Sequence, residues 1–170
     1  MSFPSLSHDH TDCIAAALDT AERECQRRGA RLTALRRQVL ALVWDSHRPI
    51  GAYALLDRLG QSGRAAAPPT VYRALDFLLD QGLIHRVPSR NGYIGCTRPD
   101  QPHSGRILLC LGCGQASELD SPALDQAIAT ASAAQGFLPR HHTLEVEGLC
   151  PACRDAKPSQ HEIRPNEPSE

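Results

Sequence analysis

The sequence predicts an α+β chain in two parts. Four helices closed by a β-hairpin come first, and a small α/β module clasped by a metal follows. Three observations carry this. Apolar positions recur at helical spacing through the first half, and the period then changes to short runs around an Asn91-Gly92 turn. Two Cys-x-x-Cys pairs bracket the second half. The chain has 170 residues, 41% hydrophobic and only 4% aromatic, so its core is mainly Leu, Ala, Val and Ile, a composition suited to helix packing.

The first helix is expected over residues 12–28, with Ile14, Leu18 and Ala21 on one stripe and Gly29 as its stop. Thr33 caps a second helix whose buried face is Leu35, Val39, Leu42 and Val43, and Pro49 ends it. A third, short helix turns Leu55, Leu56 and Leu59 inward and stops at Gly60 and Gly63. After a small-residue linker, Pro68 and Pro69 lead into a fourth helix from Thr70. Val71, Leu75, Leu78 and Leu79 form its stripe, and Gly82 closes it. The run LIHRVPSRNGYIGC then reads as the hairpin. Helices followed by a hairpin match a winged helix-turn-helix over residues 12–97, after a flexible leader at 1–11.

Charge points the same way. Residues 1–20 carry −3, residues 21–90 carry +6 with twelve arginines against six acids, and residues 91–170 carry −4, which together give the net −1. All positive charge of the first half is arginine, the side chain suited to bidentate phosphate and guanine contacts. On the fourth helix Thr70, Tyr72, Arg73 and Asp76 lie off the apolar stripe. Tyr72 and Arg73, near the N-terminus, are placed to meet base edges and phosphates of double-stranded DNA. Thr70 and Arg64, the latter in the preceding linker, join them as expected DNA contacts. The plain alternative is a helical bundle with a solvated basic face.

A hinge is expected at 98–104 and the second module at 105–156, followed by a disordered polar tail at 157–170. The module reads as a strand (GRILLC), a helix capped by Ser121 with Pro122 in its first turn, and a strand (HHTLEVEGLC). It is too small to bury much apolar area alone, so metal or self-association must complete it. Cys110 and Cys113 lie about forty residues before Cys150 and Cys153, and four soft thiolates suit a tetrahedral structural zinc. Such a closed set leaves no open position for catalysis, so the chain is not expected to be an enzyme. A thioredoxin-like dithiol would not need duplication.

Other ligand-type residues lie between the two parts: His85, Cys96, His103 and Glu118. Two imidazoles, one thiolate and one carboxylate make a plausible four-coordinate zinc set. Each also has an ordinary explanation as a strand, core, loop or surface residue, and residue type alone leaves both open. His8, His10 and His161 are expected to be solvent-exposed in the chain ends. No run of eighteen apolar residues and no basic-then-apolar leader is present, so a cytoplasmic protein is expected, without membrane span or export signal.

The segments PPTVYRALDFLLDQGLIHRV, YIGC, CLGCG, HHTLEVEG and GLCPAC together resemble the ferric uptake regulator family, most nearly its zinc-responsive branch, over about residues 12–154. The resemblance implies a bacterial repressor that dimerises through its C-terminal α/β domain and binds AT-rich inverted-repeat operators of zinc-uptake genes when loaded with metal. It implies two zinc ions per subunit. Cys110, Cys113, Cys150 and Cys153 fall on the family's structural ligands, and His85, Cys96, His103 and Glu118 on the sensing ligands. Tyr72 and Arg73 fall on the Tyr-Arg pair of the recognition helix. A histidine cluster that many members carry before the first cysteine pair is reduced here to His103, which leaves a third site near His142 without its usual neighbours. An iron or peroxide sensor of the same family, and a thiol-redox or zinc-buffering protein, are the alternatives.

Overall fold

The first helix, α1 (Thr11–Arg27), starts two residues after Asp9, whose carboxylate accepts the backbone N–H (2.9 Å) and hydroxyl (2.6 Å) of Thr11. The computed structural model describes residues 3, 9–62, 67–101, 105–140 and 142–156. Most of the leader, Arg64, His103 and the tail after residue 156 therefore lie outside the described residues. His10, expected to be exposed, is half-buried at the N-cap position of α1. The apolar stripe continues beyond Ala21 to Cys25, both fully buried.

Helix α2 (Ala34–Trp44) is capped as expected, the Thr33 hydroxyl accepting the Arg36 amide at 3.5 Å. Helix α3 (Ala52–Gln61) runs through Gly60 rather than stopping there, so helical hydrogen bonding outlasts that weak helix former. Helix α4 (Pro68–Asp80) includes both prolines in its first turn, where their missing N–H groups cost nothing. It ends where Gly82 adopts φ +63°. Val71, Leu75 and Leu78 are buried with Val39, Leu40, Val43, Leu55 and Leu59 in one helical core. The hairpin pairs β1 (Ile84–Val87) with β2 (Gly92–Gly95), and a single 3-10 turn leads into left-handed Asn91. Gly95 lies so close to the Trp44 indole that any Cβ would fall 2.1 Å from the ring.

The second module is a three-stranded sheet in the order β4-β3-β5. The central strand β3 (Gly105–Cys110) pairs antiparallel with β4 (Ala116–Glu118) and parallel with β5 (Thr143–Gly148). Helix α5 (Pro122–Ala134) lies in the crossover, and α6 (Pro151–Asp155) carries the last cysteine. Two details depart from expectation. The Ser121 side chain makes no capping bond, and α5 buries none of its residues. β4 and α6, too short to leave a periodic pattern, are additions to the expected elements. Inside, Arg106 is 3% exposed, with its charge paired to Asp125 and its Nε donating to the Leu119 carbonyl at 2.9 Å.

The two parts share a second apolar cluster, in which Val87 and Ile94 of the hairpin meet Ile107, Leu109 and Ala116 of the sheet. The Ala116 amide also donates to the His47 carbonyl (2.7 Å), and the Ser89 amide to Glu145 (3.3 Å). The sheet module also leaves large apolar side chains exposed, Val146 of β5 with Phe137, Leu138 and Leu149. Among the described residues, no helix is long and apolar enough to cross a membrane.

Candidate metal centres

The four cysteines converge where β3 and β5 both end. Leu111 donates its amide to the Gly148 carbonyl (2.7 Å), which fixes one Cys-x-x-Cys turn beside the approach to the other. Gly114, at φ +73°, lets the chain reverse after Cys113. Gly112 permits the close approach of the second pair, since a Cβ there would stand 3.0 Å from the Cys153 sulfur. Cys150 caps α6, its Sγ accepting the Cys153 amide at 3.4 Å. One sulfur from each cysteine lies within 4.8 Å of the other three, and Cys113 and Cys150 stand 3.9 Å apart.

Among these thiols Cys110 is poised to ionise onto a cation. Burial alone would push Cys110 up, but the amides of Cys150, Cys113 and Gly112 aim at its sulfur and hold it at about 6. Cys153 is pushed up to about 12 by its bond to Cys150, by burial and by the other sulfurs. A thiolate forms readily at one position and then discourages the rest, so only a bound cation can hold four together. Four sulfur donors in this spacing fit zinc.

A second group spans the two modules. His85 leaves β1 toward the sheet, Cys96 follows β2, and Glu118 ends β4. The His85 Nε2 and Glu118 Oε1 atoms are 2.9 Å apart, and the Cys96 sulfur lies within 4.8 Å of its neighbours in the trio. The His85 and Glu118 side chains are only 11% and 7% exposed. Gly105 makes room for the ring, as a Cβ there would stand 3.1 Å from His85 Nδ1. Glu118 is oriented by Thr97, whose amide (3.0 Å) and hydroxyl (2.6 Å) both donate to Oε2.

The electrostatics divide the trio. Burial raises the Glu118 carboxyl, but His85 and Thr97 outweigh it and hold the group at about 2. Burial and the neighbouring Glu118 charge push the Cys96 thiol up to about 12. A cation entering here finds its carboxylate already ionised and must displace a proton from the thiol. His103, expected as the fourth member, lies outside the described residues; Gln101 and Gly105, on either side of that segment, line one crevice with His85. The supporting roles of Thr97 and Gly105 carry no mark in the sequence beyond adjacency to Cys96 and the start of a strand.

On α4, Thr70, Tyr72 and Arg73 are all exposed, Tyr72 by 41%, on the side opposite the core. Arg73 forms no ion pair with a described residue, whereas Arg37 and Arg58 pair with Glu22 and Asp45. Arg64 lies outside the described residues. His142, considered for a further site, faces Asp125 at 3.4 Å, in the same group as Arg106.

Comparison with known proteins places this arrangement. The zinc uptake regulation protein of Escherichia coli (strain K12) is 42% identical over 145 residues, 85% of either chain. That of Mycobacterium tuberculosis (strain H37Rv) is 28% identical over 74% of this chain and 96% of its own. A zinc uptake regulator solved in complex with zinc and DNA superposes with a TM-score of 0.78 at 42% identity, over 83% of this chain and 95% of that one. Holo XcZur gives 0.77 at 42% identity, over 83% and 99%. Apo XcZur gives 0.50 at 40% identity, over 85% and 99%. The family model of the ferric uptake regulators matches residues 27–147, and the chain belongs to the ferric uptake regulator family.

Proposed function

We propose that the chain is a zinc-sensing transcriptional repressor that acts as a homodimer on operator DNA of zinc-uptake genes. The observation that carries this is the approach of His85, from the winged helix, to Glu118, from the sheet module, with the Cys96 thiol beside them. Ligands drawn from both modules let one small cation set the angle between them. The thiolate favours zinc over iron or manganese, which prefer nitrogen and oxygen donors.

Two zinc ions per subunit follow from this reading, one held by Cys110, Cys113, Cys150 and Cys153 and one by His85, Cys96 and Glu118 with His103. The first set, saturated with thiolates, keeps the small module folded and offers no position for catalysis. The second, when loaded, supplies a positive charge that draws His85, Cys96 and Glu118 together. Arg73, Tyr72 and Thr70, with Arg64, then reach the major groove, and the matching helix of the second subunit meets the next groove. The exposed apolar side of β5 and α5 supports pairing of subunits through the sheet module. The higher similarity to holo than to apo XcZur supports reading the present domain angle as the DNA-competent one, since identity and coverage are nearly equal in the two comparisons.

Cys96→Ser tests the reading. The variant is expected to remain a dimer with its four-cysteine zinc, while operator binding weakens about 10- to 100-fold at limiting free zinc. Unchanged operator affinity under those conditions would overturn the assignment of the sensing set.

A further inference from the structure

A third group of ligand-type side chains lies outside both sets described above. His10, Cys13 and His47 each bring one donor atom to within 4.8 Å of the others, and all three residues are half-buried. His10 and Cys13 are three residues apart at the start of α1, a spacing that puts them on one helical face. The Asp9–Thr11 bonds fix the turn from which the His10 ring projects. His47 comes from the connection between α2 and α3. It is flanked there by the Ser46–Arg48 turn, in which the Arg48 amide donates to the Ser46 hydroxyl at 3.3 Å. Its carbonyl is anchored by the Ala116 amide. The two imidazole rings meet at 4.8 Å between centroids and 54° between planes. That is not parallel stacking; it is an attitude in which two rings can turn nitrogens onto a common point.

We propose that His10, Cys13 and His47 form a further zinc site, with water as the fourth ligand. Two imidazole nitrogens and one thiolate are donors that zinc accepts in tetrahedral geometry. Bound donors stand about 3.3–3.8 Å apart, so the side chains need close by only about 1 Å. Zinc at this point fastens the first turn of α1 to the α2–α3 connection. The connection already touches β4 through the His47 carbonyl, two residues before Glu118. Cys13 also lines, with Cys96, a cavity of about 190 Å³ between α1 and the joint. The site thus stiffens one wall of the joint. With three protein ligands and a water it fills at higher free zinc than the two four-ligand sets, and gives the protein a second, weaker zinc threshold.

The test uses the full chain, dialysed against buffered Zn2+ above the concentration that fills the sensing set, with metal content and hydrogen exchange read together. Unmodified protein is expected to hold about one further zinc ion per chain compared with both Cys13→Ser and His47→Ala. It is also expected to show zinc-dependent slowing of exchange at the first-turn amides of α1, which both variants lose. Retention of the remaining zinc and of the dimer in each variant establishes that neither has unfolded. Equal metal content in all three proteins overturns the site. So does a zinc ion lost from Cys13→Ser but kept by His47→Ala, since the thiol would then bind without the geometry described.

Discussion

Cys110, Cys113, Cys150 and Cys153 all come from one module, at the shared end of two parallel strands. His85 and Cys96 come from the ends of the hairpin and Glu118 from the edge of the sheet, so the second set is assembled only when two modules meet. The donors overlap in kind, yet the consequences diverge. A cation within one module stabilises that module whatever the rest of the chain does. A cation between two modules stabilises one of their relative positions and is weakened by any other, which is the requirement for a switch. Loading of the second set is also coupled to protonation. In the proposed sensing set Glu118 is held ionised and Cys96 protonated, so binding is expected to release the thiol proton. Affinity there should fall by up to about tenfold for each unit of lowered pH per proton displaced.

The largest effect should come from Cys113→Ser. It removes one of four thiolates whose joint zinc affinity is on the order of 10 kcal/mol in comparable structural sites. Loss of the dimer and early melting of the sheet module, followed by circular dichroism and size-exclusion chromatography, are expected even at saturating zinc. A stable dimer with normal melting would erase the contrast between the two sets. A smaller effect, about tenfold on sensing-site affinity, is expected for Thr97→Val, because Thr97 aims the Glu118 carboxylate without binding metal itself. Competition with a chromophoric chelator reads it, and the four-cysteine zinc should be untouched. The smallest effect is expected for Gly105→Ala, whose methyl would press on His85 Nδ1 at 3.1 Å. The ring must give by a few tenths of an ångström, so sensing affinity should drop by about twofold to fivefold with melting unchanged. Damage to melting instead would show that Gly105 serves the strand rather than the imidazole.

The helical half was legible because long amphipathic helices state their period many times over. Val71, Leu75 and Leu78 repeat the stripe that Val39 and Val43 answer from α2. The four-cysteine group was legible because each ligand pair is local in the chain. The joint was harder. Glu118 is an ordinary acid until β4 pairs with β3 and aims it at His85, and three residues of β4 are too few to show alternation. Nor could periodicity reveal that Val87 and Ile94 share a cluster with Ile107 and Leu109, since each strand reports only that one of its faces is buried. His10 looked like part of an exposed leader because its neighbour His47 lies far along the chain and on a different element.

The parallel pairing of β5 with β3 has a consequence for biogenesis. Among the described residues β5 is an edge strand with Leu144 and Val146 alternating between Glu145 and Glu147, and the residues that pin its far end, Cys150 and Cys153, follow it in the chain. A newly synthesised chain that has not yet captured its structural zinc offers this strand as a template for unwanted sheet growth. Glu145, which accepts from the Ser89 amide, and Glu147, which pairs with Arg90, put charge along that edge. A shortage of zinc is therefore expected to bear first on newly made chains, whose edge strand is not yet pinned.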